Sequence, residues 1–228
     1  MKRSDVNNRL YEILYEIYKH KAMTIGQIQA LYFESFFRAR NYLLNLEKKG
    51  LIKRMFAILD ITKGRPEQIF LLTLEGIEIL RNKGYKTGTG DKIHKYLIKA
   101  GEAQIRHDLK LVDIIIYLYS NNLIEEYTTE LFLRQMRYAE KGTYRIPDIV
   151  FKDKEGYGFI ELEERSRSGR KLLNDFNDYI IYNKDFKKIF VVRDERLEFY
   201  YKILTRSVLT NWEIGTFNNK VLVKKYKS

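Results

Sequence analysis

Pro147-Asp148 is followed, after twelve intervening residues, by Glu161-Leu162-Glu163. Alternation along an extended strand puts Glu161 and Glu163 on one face and Ile160 and Leu162 on the other. If Asp148 ends the neighbouring strand of a hairpin, three carboxylates converge. Such a cluster repels itself unless a divalent cation or basic side chains balance it. Ligation by oxygen alone suits Mg²⁺ or Mn²⁺, and an ion held in this way activates water and stabilises a leaving oxygen in phosphodiester cleavage. Two plainer readings stand beside this one. Arg165, Arg167, Arg170 and Lys171 follow closely and could neutralise the acids as a salt-bridge network, or Glu161, Glu163 and Glu164 could be the solvated face of an edge strand.

A second set of residues suits a polyanion. Arg38, Arg40, Asn41 and Asn45 fall off the apolar stripe of one predicted helix, and Lys63-Gly64-Arg65 forms the tip of a predicted loop. Arginine can pair bidentately with guanine and asparagine with adenine in the major groove, while loop cations reach phosphates or an adjacent groove. The charge balance agrees. The 228-residue chain has 42 Lys and Arg against 30 Asp and Glu, a net charge of +12, with +7 in residues 1–90 and +5 in the rest. An excess of this size favours nucleic acid as partner.

Other chemistries are excluded or disfavoured. Without cysteine there is no disulfide, thiolate nucleophile, zinc finger or Fe–S cluster. His20, His94 and His107 are too scattered for a histidine-dominated metal site. The longest apolar runs fall far short of the roughly 18 residues a membrane span needs, and the first residues have no signal-peptide pattern, so a cytoplasmic protein that does not enter a membrane is expected.

The elements that must hold these residues can be read from periodicity. Leu10, Ile13, Leu14 and Ile17 predict a helix over 7–20. Thr24 and Gln27 form a capping-box pattern that opens a short helix ending near Leu31. Ser35 starts a longer helix that is expected to bury Phe36, Ala39, Leu43 and Leu46 and to stop at Gly50. Two β-rich stretches, Leu51–Ile61 and Gln68–Thr73, flank a loop containing Gly64 and Pro66, and Thr73–Leu80 returns to helix. Glycines and threonines over 84–91 read as a linker.

Beyond the linker, Ile93 to about Asn122 reads as a helix, divided or bent at Gly101 and Asp108, with Ile105, Leu109, Val112, Ile116 and Tyr117 on its apolar side. A strand-like run, Tyr127–Arg134, and a polar loop, Arg137–Thr143, lead to strands at Ile146–Phe151 and Tyr157–Glu164 joined by a turn at Asp153–Gly156. A helix over Lys171–Asn183, a buried strand at Lys188–Val192 and further strands at Leu209–Ile214 and Lys220–Tyr226 complete the order. A mixed sheet flanked by helices is expected, with the acids near one edge.

Three resemblances follow from these motifs. The stretch from Thr24-Ile-Gly-Gln-Ile to Asn45-Leu-Glu-Lys-Lys-Gly-Leu-Ile-Lys53 resembles winged-helix DNA-binding domains of bacterial regulators; the resemblance covers about residues 7–83 and implies a winged-helix domain over 1–83. The order and spacing of the acidic strands resemble the PD-(D/E)XK, or restriction-endonuclease-like, superfamily over 92–228. That resemblance implies Asp148 and Glu161 as metal ligands for Mg²⁺ or Mn²⁺. Glu163 stands where the superfamily has lysine, so the catalytic set becomes Asp148, Glu161 and Glu163, with Lys171, or equally Arg165 or Arg170, as a migrated cation.

The whole chain, including Arg106-His-Asp-Leu-Lys110, Glu130 and Phe159-Ile-Glu-Leu-Glu-Glu-Arg-Ser166, resembles the replication-relaxation family of plasmid and mobile-element proteins. In that family His107 and Glu130 match recurring positions, although His107 is read here as a satisfied helix histidine. The implied fold class is α+β, a winged helix-turn-helix followed by an α/β nuclease-like domain. The implied role is double-stranded DNA binding in plasmid replication or mobilisation, with a degenerate nuclease-like site, and with homodimerisation and a replication or relaxase partner protein compatible with it. An active Mg²⁺-dependent endonuclease and a transcriptional regulator are the alternatives.

Overall fold

The computed structural model describes residues 6–57, 66–87, 102–137, 146–163, 187–192, 212–218 and 221–223. They fall into two compact units, residues 1–116 and 117–228.

In the first unit, α1 (Val6–His20) is followed by β1 (Met23–Thr24), α2 (Ile25–Tyr32), α3 (Phe36–Lys48), β2 (Ile52–Ala57), β3 (Glu67–Leu72) and α4 (Leu74–Asn82). The three strands form one antiparallel sheet in the order β1-β3-β2. Ile13, Leu14 and Ile17 of α1, Ile28 of α2, Ala39, Leu43 and Leu46 of α3, Ile69 and Phe70 of β3 and Leu80 of α4 are all buried. This is the arrangement of a winged helix-turn-helix. The β2–β3 connection, with Lys63 and Arg65, lies outside the described residues, as do 88–91 of the expected linker and 93–101 of the expected helix.

Helix ends in this unit are fixed chemically. Thr24 and Gln27 close a reciprocal capping box, and Ser35 Oγ and Thr73 Oγ1 accept the N–H groups of Arg38 and Gly76. At the end of α3, Gly50 adopts a φ of +74°, its N–H donating to the Glu47 carbonyl while the Leu51 N–H donates to Leu46. That pair of bonds needs a left-handed residue, which glycine supplies without a side-chain clash. Gly76 is required for a different reason. A β-carbon there would stand 2.2 Å from the Leu51 carbonyl oxygen, so α4 can lie against the start of β2 only without one.

The long helix α5 (Glu102–Ser120) runs unbroken through Asp108, contrary to the expected bend. Asp108 is buried, but its carboxylate takes Lys21 Nζ at 3.4 Å and Gln104 Nε2 at 3.1 Å, so it does not compete for backbone donors. Gln27, already in the capping box, donates its side-chain N–H to the Leu109 carbonyl and to Asp113 Oδ1, both at 2.8 Å. Nearby, Glu16 meets Lys19 at 2.7 Å and His20 Nε2 at 3.5 Å. Burial pushes the His20 imidazole below its ordinary pKa, against the opposing pull of Glu16. Burial alone would raise Glu16, but Lys19 and the bond from His20 outweigh it and hold the carboxyl below its usual range.

Two expected core assignments change. Phe36 is 53% exposed, because it occupies the first turn of α3 and burial along that helix begins at Ala39. On α5, Ile105, Leu109 and Val112 are buried as expected, but Ile116 and Tyr117 are half-buried, and Leu111, Ile114, Ile115 and Leu118 are buried as well. More of the helix circumference is covered than a single apolar stripe requires.

The second unit is built on a six-stranded mixed sheet, order β4-β5-β6-β7-β8-β9. The strands are β4 (Glu126–Thr129), β5 (Ile149–Asp153), β6 (Gly156–Glu163), β7 (Lys187–Val192), β8 (Trp212–Asn218) and β9 (Val221–Val223). Pairing is antiparallel from β4 to β6, parallel through β7 to β8, and antiparallel again at β9. The Asp153–Gly156 turn forms as expected, with Asp153 Oδ1 accepting from the N–H groups of Glu155 and Gly156.

The run expected as one strand over Tyr127–Arg134 is divided. β4 ends at Thr129 and α6 (Glu130–Arg137) begins at once. From Glu130 to Arg137 no residue is β-branched, and Glu130 and Arg134 pair at i,i+4, both of which favour helix. Arg137 therefore closes a helix instead of opening a loop. The expected helix over 171–183 lies outside the described residues.

Candidate nucleic-acid interface and acidic cluster

The outward surface of the first unit centres on α3. Its buried residues, Ala39, Leu43 and Leu46, lie along one line, and Arg38, Arg40, Asn41 and Asn45 are all exposed. Periodicity places them off the core stripe, and the structure puts them in solvent. Arg38 Nη1 lies 3.5 Å from Glu34 Oε2, with both side chains more than 70% exposed. An exposed pair of this kind contributes little and yields readily to a better anion. In β2, Arg54 meets Glu47 at 3.3 Å and lies over the Phe56 ring, which is itself exposed.

Sequence reasoning missed Phe37, which is 68% exposed on the same helix. Its signal was available. At about 100° per residue, position 37 stands opposite the arc of 39, 43 and 46.

The acids of the second unit are placed differently from the expectation of an edge. β6 pairs with β5 on one side and β7 on the other, so Glu161 lies in an interior strand. Phe159, Ile160, Glu161 and Leu162 are all buried, and the solvated-face reading of Glu161 is excluded. The pairing Ile149↔Ile160 brings Asp148, one residue before β5, against Glu161. The Asp148 N–H donates to Glu161 Oε2 at 3.3 Å, and the Leu162 N–H donates to Asp148 Oδ2 at 2.9 Å. Each carboxylate thus serves a backbone donor where the regular ladder ends.

Glu130 is their neighbour through the backbone. Its N–H donates to the Asp148 carbonyl at 2.8 Å, while its carboxylate takes Arg134 Nε at 2.9 Å. Three acidic residues therefore lie on three adjacent segments, but the Glu130 side chain is turned to an arginine. Asp148 and Glu161 offer the hard oxygen donors that Mg²⁺ or Mn²⁺ takes. Among the described residues no group of three acidic, histidine or cysteine side chains is arranged to hold a metal ion. The Glu163 side chain, Glu164, Arg165, Arg170 and Lys171 lie outside the described residues. His107, half-buried on α5, belongs to the first unit.

Among the described residues no helix is long and apolar enough to cross a membrane. Residues 14–190 match the protein-family model described as replication-relaxation. No curated protein matches the chain. Among solved structures, the crystal structure of a MepR mutant from a multidrug-resistant S. aureus clinical isolate is similar over 49% of this chain and 78% of that one, with 20% identity and a TM-score of 0.30.

Proposed function

The chain belongs to the replication-relaxation family, and from that premise we propose that it binds double-stranded DNA through its N-terminal winged helix and acts in replication or mobilisation of a plasmid or other mobile element. The observation that carries this reading is the exposed array on α3. Arg38, Arg40, Asn41 and Asn45 are all in solvent on a helix whose opposite side forms the core. A helix so presented fits the major groove, where these side chains offer the donors that phosphates, guanine and adenine accept. Lys63 and Arg65 supply backbone contacts from the wing, and the net charge of +12 supports association with a polyanion.

The test is salt-dependent binding of the full chain to duplex DNA by fluorescence anisotropy. Replacing Lys63 and Arg65 with alanine lowers the slope of log affinity against log salt by about one unit for each phosphate that is no longer neutralised. Salt-insensitive or undetectable binding at low ionic strength would refute the reading.

A nuclease-like origin for the second unit is the accompanying proposal, supported by the juxtaposition of Asp148 and Glu161. Bound there, Mg²⁺ or Mn²⁺ would supply charge stabilisation and an activated water. Asp148 and Glu161 would be its protein ligands. Both carboxylates already serve backbone N–H groups, and Glu163 replaces the expected lysine with a negative charge. The site is accordingly read as degenerate, contributing to the fold and to DNA association instead of to cleavage.

A further inference from the structure

Phe37 stands at the centre of the outward face of α3. Asn41 follows one turn on, Lys48 lies on the same line, and all three are exposed. Phe36 beside them is 53% exposed. Single exposed apolar residues are ordinary, and Phe36 lies about 100° round the helix toward the core arc, but Phe37 stands in line with Asn41 on the face turned away from the core.

The surroundings specify its chemistry. Arg38 and Arg40 are exposed within one turn of Phe37 on either side of it, and Lys48 is exposed about three turns further along the same line. The one acid of α3, Glu47, is half-buried and engaged with Arg54, and the exposed Glu34 just before the helix pairs only loosely with Arg38. A ring framed by cations suits a polyanion that carries apolar groups. In the major groove, the apolar group on a base edge is the thymine 5-methyl, and an A·T pair presents that methyl beside the N6 and N7 atoms of adenine. An asparagine amide matches the adenine edge, and a phenylalanine ring matches the methyl.

We propose that Phe37, acting with Asn41, is a specificity-determining residue that selects A·T pairs through the thymine 5-methyl. The proposal rests on the DNA-binding reading above and deepens it.

The experiment compares binding of the full chain to alternating poly(dA-dT) and poly(dA-dU) duplexes, which differ by the 5-methyl alone. Wild-type protein is expected to bind the thymine duplex more tightly, by about fourfold for each methyl covered, the worth of one buried methyl group. Phe37→Ala is expected to abolish the preference and Phe37→Leu to retain part of it. The ratio is taken within each preparation, so it does not depend on the folded fraction.

Equal affinity of the wild type for both duplexes would overturn the proposal and leave DNA binding intact. So would a preference that survives Phe37→Ala. Altered self-association in Phe37→Ala, seen by sedimentation, with the thymine preference unchanged would overturn it in favour of a protein interface. Failure to bind either duplex would remove the DNA-binding reading as well.

Discussion

The two units place their candidate functional groups in opposite ways. The first turns Arg38, Arg40, Asn41 and Asn45 outward and encloses Glu16, His20 and Asp108. The second draws Asp148 and Glu161 into its sheet, where they accept backbone N–H bonds. Outward groups can be exchanged at little cost to the fold. Inward groups must satisfy the fold before they can do anything else, because a buried donor left without its acceptor is costly. A cluster of acids in a sequence therefore has two competing explanations, and burial with named backbone partners weighs toward the structural one.

The largest expected effect separates the units by stability. Glu161→Ala removes a buried carboxylate that accepts the half-buried Asp148 N–H and should cost about 2 kcal/mol, measured by urea denaturation. Arg40→Ala, on an exposed position, should stay within about 0.5 kcal/mol of wild type. A Glu161 variant as stable as the arginine variant would break the contrast.

Next in size is an effect on binding alone. Arg38→Ala and Arg40→Ala should each weaken duplex DNA binding by about tenfold, the value of roughly one charge-assisted hydrogen bond, with an unchanged unfolding midpoint. Equal losses of stability and affinity would mean that α3 is being disrupted and not its surface.

A smaller effect belongs to the enclosed charges of the first unit. The folded His20 has its pKa below the unfolded value of about 6.5, so the unfolded chain takes up the extra proton. Stability is then complete above about pH 6.5 and falls as the pH drops through the lowered value. Glu16, also lowered, adds to the loss only below the ordinary glutamate range. Urea midpoints at about pH 7.5 and about pH 5 should show the decline, and His20→Asn should flatten it. An unaltered slope in that variant would assign the pH response elsewhere.

The smallest expected effect concerns the acids as a metal site. With Mg²⁺ or Mn²⁺ present, purified protein should leave supercoiled plasmid uncut under conditions where it is clearly bound. Nicking that disappears in Asp148→Ala with the fold retained would promote the endonuclease alternative and reverse the comparison between the units.

Much of the first unit was legible in the sequence because its signals are local. The Thr24–Gln27 capping box, the Ser35 cap, the stop at Gly50 and the apolar positions of α1 and α3 each depend on residues within a turn or two of one another. The spacing of the cations on α3 followed from the same periodicity. The pairing of Asp148 with Glu161 was legible too, because a short hairpin fixes its own register. Tertiary structure alone decided what these groups touch. Gln27 bonds to Leu109 and Asp113, more than 80 residues away, and Lys21 meets Asp108 at a similar separation. No local pattern encodes those pairings. Whether β6 is an edge or an interior strand depends on β7, a parallel neighbour that can arrive only through a long crossover. That distant pairing makes β6 an interior strand, and the burial of Phe159, Ile160, Glu161 and Leu162 shows that both of its faces are covered, which alternation along one strand does not encode because cover comes from elements packed on the faces.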